Sequence, residues 1–195
     1  MKSEELRVKG EIVLLHSCCA PCSAAIVEWL LANGIRLVLY YFNPNIYPQT
    51  EYDIRKAELT RYALSQGVEV IDGDYSHDEW LQHVTGLEHE PERGARCLQC
   101  FKIRMLATAR LAYERGFARF ATTLASSRWK NLDQIAQAGH WAAAQYDDIE
   151  FWEKNWRKNG LNERRNALLK NYGFYNQTYC GCEFSVEKSV ITHVY

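Results

Sequence analysis

From Ile12 to Ile71 the chain alternates short apolar runs with longer amphipathic stretches. Ile12–His16 is an apolar run of strand length, stopped by the cysteine-rich turn Ser17–Cys22. Ser23–Asn33 carries apolar residues at helical spacing and stops at Gly34. Arg36–Phe42, rich in β-formers and ended by the turn Asn43-Pro44-Asn45, predicts a second strand. Gln49–Ser65 reads as a charged amphipathic helix ending near Gly67, and Val68–Ile71 as a third strand. This rhythm predicts an α/β domain, a mainly parallel sheet flanked by helices.

Beyond Ile71 the periodicity is looser. Asp78–Val84 fits a short helix and Gly86–Gly94 a polar loop. Leu98–Arg115 predicts a long helix stopped by Gly116, and Arg119–Leu124 a fourth strand. Ser126–Asn131 is a loop ahead of a helix at Leu132–Gln145. A further helix is expected around Phe151–Leu169, interrupted at Gly160, and Tyr172–Tyr195 holds weak strand signals. No repeat, low-complexity tract or linker divides the chain, so residues 1–195 read as one domain with a flexible N-terminus at 1–11.

Composition narrows the class. With 195 residues, 47% apolar and 24% charged, the chain is long enough and apolar enough to bury a core without disulfide staples. No apolar run approaches the roughly 20 residues of a membrane span, and MKSEELRVKGE lacks a signal-peptide core. A cytoplasmic protein is expected. There thiols stay reduced, so clustered cysteines point to metal or redox chemistry rather than a disulfide framework. The net charge of -1 gives no global pull on nucleic acid, so a polyanion would need a local patch.

Seven cysteines fall into three groups: Cys18-Cys19 with Cys22, Cys97 with Cys100, and Cys180 with Cys182. The first follows strand one, where carboxyl ends of parallel strands open into a crevice. The second opens a helix, whose N–H groups and dipole favour thiolate. The third sits in a Gly-containing loop able to bend sharply. Two buried core cysteines would explain one such pair, but three groups in one chain favour metal or redox work. Spacing alone leaves zinc and iron–sulfur both open; the adjacent Cys18-Cys19 favours a cluster, whose corners two neighbouring thiolates can span. Cys180 and Cys182 are too close for a relaxed structural disulfide, which leaves a labile redox pair, the favoured reading, or metal ligation.

Taken together, HSCCAPCS, FNPNIYPQTEYDIRKAEL, GARCLQCFKIRMLATA, FATTLASSRWKN and YGFYNQTYCGCEFS resemble the QueH-type epoxyqueuosine reductases, over most of the chain from about Ile12 to Ser185. The resemblance implies a cobalamin-independent oxidoreductase. Its reaction is the last step of queuosine formation, reducing the epoxide of epoxyqueuosine at the anticodon wobble position of tRNA. It implies a [4Fe–4S] cluster on Cys18, Cys19, Cys97 and Cys100, a redox-active disulfide between Cys180 and Cys182, and an unidentified electron donor. It also implies a layered fold similar to that of the adenine-nucleotide hydrolase and tRNA-thiolation enzymes. Two positions depart from the family pattern. Cys22 stands where members often have an Asp linked to a second metal, so a second iron held through Cys22 is expected but open. Asn176 stands where members often have Arg, which removes a fixed cation next to Gln177.

The reduction takes two electrons and two protons and releases water, so a one-electron cluster needs help, which Cys22 and the Cys180/Cys182 dithiol would give. His16, Tyr175 and Tyr179 are candidate proton donors or structural residues. Arg128-Trp129-Lys130 forms a basic–aromatic loop suited to a phosphate and a base, and Asn43 and Gln177 are further candidate tRNA contacts. Lys154, Arg157, Lys158, Arg164, Arg165 and Lys170 make the C-terminal third locally basic, which also suits a solvated helix face. Two other classes compete. A nucleotide-dependent tRNA-modifying enzyme on the same fold would need a Gly-rich phosphate loop where this chain has Ser17–Cys22 with Pro21. A zinc-binding adaptor would hold its metal in four thiolates and be colourless.

Overall fold

A computed structural model describes residues 12–185. Five strands form one all-parallel sheet: β1 (Ile12–His16), β2 (Arg36–Tyr41), β3 (Val70–Asp72), β4 (Arg119–Thr122) and β5 (Glu150–Phe151), in the order β3-β2-β1-β4-β5. The six helices are α1 (Ala20–Ala32), α2 (Gln49–Ser65), α3 (His77–Val84), α4 (Ala95–Arg115), α5 (Leu132–Ala143) and α6 (Leu161–Asn171). On one face α1 packs against α2 and α6; on the other α4 packs against α3 and α5. With helices on both faces, the central strands are apolar throughout. Val13, Leu14, Leu15, Leu39, Phe120 and Ala121 have no exposed surface.

The α/β class and the parallel sheet agree with the apolar rhythm. Helix boundaries differ where cysteines stand. Helix α1 begins at Ala20, three residues earlier than the spacing predicts, with Cys19 as its N-cap and Pro21 in the first turn, where a missing N–H costs nothing. Cys22 is therefore a helical residue, not part of a turn. Helix α4 likewise starts at Ala95, which draws Cys97 into its first turn. The helix expected from Phe151 is corrected. Glu150–Phe151 is the edge strand β5, paired with Arg119–Phe120, and α6 starts only after Gly160, whose φ of 79° is left-handed. A two-residue strand is too short to show a period. No strand occurs between Tyr172 and Ser185; the remainder of that expectation and the N-terminal segment 1–11 lie outside the described residues.

The strand order reverses direction between β1 and β4. In open α/β sheets the crevice outside the carboxyl ends at such a switch point is where ligands bind. Here it is reached through His16 and Thr122, paired in register. Among the described residues no helix is long and apolar enough to cross a membrane.

Candidate metal and thiol centre

At the switch point the chain leaves β1 into Ser17-Cys18-Cys19 and enters α1. The Sγ atoms of Cys18, Cys19 and Cys22 all lie within 4.8 Å of one another, and all three residues are buried. Cys18 and Cys19 sulfurs are 3.8 Å apart, and Thr123 Oγ1, just past β4, is 3.7 Å from Cys18 Sγ. Hydrogen bonding from Cys19 and Cys22 holds the Cys18 thiol well below its ordinary range. Burial holds Cys19 well above it, and the Cys18 sulfur next to Cys22 pushes that thiol up to about 12. Like charges in one buried pocket cannot all form unaided, whereas a cation among the sulfurs would stabilise all three as thiolates. This donor set of soft, anionic, converging sulfurs fits iron or zinc.

Beneath the thiols lies a buried support. Arg104 of α4 donates through Nε to His16 Nε2 at 3.3 Å and through a terminal nitrogen to Asn43 Oδ1. His16 Nδ1 lies 2.8 Å from Thr122 Oγ1, and Nε2 also lies 3.1 Å from Phe42 O. Burial, then Arg104, pushes His16 down to about 3, so it stays neutral and works as a strut between β1 and β4 rather than as a proton donor. Asn43 has no exposed surface and holds Ser17 O through Nδ2 at 2.9 Å. It shapes the turn from within and offers nothing to a macromolecule directly.

Cys97 and Cys100 stand on α4, outside the group of three that Cys18, Cys19 and Cys22 form. The Arg93 N–H donates to Cys97 Sγ at 3.3 Å. Cys100 packs with Cys182, Trp80 and Val84 in a second, smaller apolar cluster. Burial raises both the Cys97 and Cys100 thiols. The Lys130 ammonium lowers Cys18, Cys97, Cys100 and Cys180 alike, which gathers members of all three cysteine groups around one cation.

The segment Tyr175–Cys182 closes over this region as a strap. Arg55 of α2, buried and paired with Glu51 at 2.7 Å, donates to the carbonyls of Tyr179 and Cys180 at 3.3 Å each. Tyr47 N–H donates to Gly181 O at 2.8 Å, Tyr179 OH to Tyr47 O at 2.6 Å and Tyr175 OH to Glu51 at 2.8 Å. Both tyrosines are thus ties of the strap. Gln177 Nε2 reaches Cys19 Sγ at 2.9 Å, and its Oε1 is buried without a partner. All seven cysteines are free thiols. Burial pushes Cys182 up to about 12. Burial also pushes on Cys180, but Lys130, with Arg104 and Arg55, more than reverses it and leaves this thiol lowered.

The loop after β4 divides into two parts. Trp129 is 62% exposed, with the Arg128 guanidinium 4.7 Å above its ring. Lys130 instead turns inward, its Nζ 2.8 Å from Cys180 Sγ. Two arginines fix the loop: Arg93 donates to the carbonyls of Trp129 and Arg128 at 2.9 and 3.1 Å, and Arg157 to that of Lys130 at 2.7 Å. The basic C-terminal third is also largely structural. Lys154 sits 3.6 Å above the Trp29 ring and Arg164 pairs with Glu28 at 2.7 Å, while Arg165 is near enough to lower Cys22. Sequence reading missed Arg55, Glu51, Arg93 and Arg104. The Glu51/Arg55 spacing of four was visible, but an i,i+4 pair looks the same on a solvated face.

The family model for epoxyqueuosine reductase QueH matches residues 13–188. The epoxyqueuosine reductase QueH of Acinetobacter baylyi is 48% identical over 174 residues, covering 89% of this chain and 80% of that protein. Its counterpart in Haemophilus influenzae is 47% identical over 177 residues, 91% of this chain and 72% of that one. In Thermotoga maritima it is 34% identical over 177 residues, 89% and 90%. A match from β1 through the Cys180–Cys182 strap takes in every element of the thiol centre, and the chain belongs to the QueH family of epoxyqueuosine reductases.

Proposed function

We propose that this protein reduces the epoxide of epoxyqueuosine in tRNA to the alkene of queuosine, the reaction its relatives are named for. The observation that carries it is the convergence of three buried thiols within 4.8 Å at the sheet's switch point. The adjacent strap brings two more thiols. A binding adaptor has no use for the second set.

In this reading Cys18, Cys19, Cys97 and Cys100 would hold a [4Fe–4S] cluster, and Cys22 would hold a second iron. No cobalamin is required. When bound, these metals supply one-electron transfer and Lewis acidity. The remaining chemistry belongs to the chain. The overall balance closes on the dithiol: Cys180 and Cys182 as thiols, plus epoxide, give a disulfide, an alkene and water. Both C–O bonds of the epoxide break, one S–S bond forms, and the two thiol hydrogens leave in the water. A separate donor then returns the pair to dithiol. Arg55 and Glu51 orient the strap, burial excludes water, and Gln177 Oε1 offers an unpaired acceptor toward a substrate hydroxyl or amine. Arg128 and Trp129 suit an RNA phosphate and a splayed base. The work belongs to the cytoplasm, where thiols stay reduced.

Incubation of anaerobically prepared, reduced protein with epoxyqueuosine-tRNA tests this. The expected result is queuosine-tRNA from brown protein containing iron and sulfide. Colourless protein with one zinc and no turnover would support the adaptor instead.

A further inference from the structure

The Lys130 ammonium is the part of the centre that no metal-binding role absorbs. It lies in a loop exposed at Arg128 and Trp129, yet points inward to within 2.8 Å of Cys180 Sγ, over the face of Phe101 at 5.9 Å. Of its neighbours in the sheet crevice, Arg104 acts against it and His16 is uncharged, while the Cys18 sulfur favours it less strongly than Cys180 does. Among the described residues Lys130 has no carboxylate within ion-pair distance. Lys130 and Cys180 are both half-buried, where a turned-in ammonium gains from an anionic partner. The atom at hydrogen-bond distance from it is the Cys180 sulfur.

We infer that Lys130 is a positioning residue for the redox pair, holding Cys180 as the thiolate member through an N–H···S ion pair. The inference rests on the reading of Cys180 and Cys182 as the working dithiol, and adds which of the two is reactive and what makes it so. Three observations agree. Cys180 is partly exposed, whereas Cys182 is buried against Trp80, Val84 and Cys100. The Lys130 backbone is clamped by Arg157 at its carbonyl, and the Cys180 backbone by Arg55, so the two side chains meet from fixed anchors. Among the described residues the ammonium is hydrogen-bonded to the Cys180 sulfur and not to that of Cys182. Thiolate, not thiol, is the nucleophile, so reactivity should follow the lysine.

The test is timed alkylation with iodoacetamide at pH 7 of reduced, anaerobically isolated enzyme, each cysteine being followed by peptide mass spectrometry. Cys180 should react first, at least about tenfold faster than Cys182. Lys130→Met should slow Cys180 by about tenfold while the melting temperature holds, and Lys130→Arg should restore most of the rate. Unchanged Cys180 alkylation in Lys130→Met overturns the inference, as does Cys182 reacting first. A Cys180→Ser enzyme that still turns over would instead overturn the dithiol reading, while the alkylation result stands on its own.

Discussion

Cys22 shows how one residue can decide the chemistry of a pocket. It projects from the first turn of α1, where Pro21 and the Cys19 N-cap fix the backbone, and its sulfur completes a group of three. A thiolate at this position would be a soft, anionic ligand for iron. Cys22→Ala is expected to lower bound iron by about one atom per chain, leave the brown cluster absorption in place and abolish turnover; metal analysis beside the visible spectrum checks this. Lys130 makes the opposite point. As a sequence it is a basic residue next to a tryptophan, and the reading as a phosphate contact was reasonable, but the clamp of Arg157 on its carbonyl sends the ammonium inward. Nothing local in the sequence encodes that rotation, because it depends on residues 27 positions away. The same holds for Asn43 and His16, whose partners are Arg104 and Thr122.

Among the elements, the strap from Tyr175 to Cys182 carries Cys180 and Cys182 without regular structure of its own, so its hold on α2 and on the loop after β2 has to be specific. Gly181 is where this is most demanding. Its φ is 110°, and a Cβ there would stand 2.9 Å from Ile46 and 3.1 Å from the Arg55 guanidinium. Gly181→Ala is expected to cost about 1–3 kcal/mol locally and to push the strap off Arg55. The outcome to look for is faster proteolysis between Gly173 and Cys182 and a large loss of turnover, with the cluster absorption unchanged. The five-strand sheet was only partly legible. Apolar runs marked β1, β2 and β4 because each carries a continuous buried segment, and β3 because Val70 and Ile71 are β-formers; they missed β5 because two residues show no pattern. The order β3-β2-β1-β4-β5 is set by packing of α1 and α4 on opposite faces, which no single segment reports.

On the scale of the whole molecule, a nearly neutral chain has to bind a polyanion through a small surface. The exposed Arg128–Trp129 pair beside the thiol crevice suits that task, since several other cations of the chain are spent on internal partners: Arg55, Arg104, Arg157 and Arg164 all face carboxylates, carbonyls, amides or rings. Binding to tRNA is therefore expected to have a shallow salt dependence. Arg128→Ala should weaken it and reduce the slope of log K against log salt by about 0.7–0.9, one phosphate contact; an unchanged slope would move the contact elsewhere. The candidate site was legible as three cysteine groups because thiols are rare and their spacing is chemical. Their supports, Arg55, Arg104 and Trp80, were not, since an arginine or tryptophan in a helix pattern looks the same whether it faces water or a buried sulfur. The measurement that bears most directly on the whole is a single turnover without external reductant. Reduced enzyme should convert about one equivalent of epoxyqueuosine-tRNA to queuosine-tRNA and emerge with Cys180 and Cys182 joined as a disulfide, by the balance of one dithiol per epoxide. Queuosine formed while both thiols stay free, or no conversion by fully reduced, iron-loaded enzyme, would contradict it.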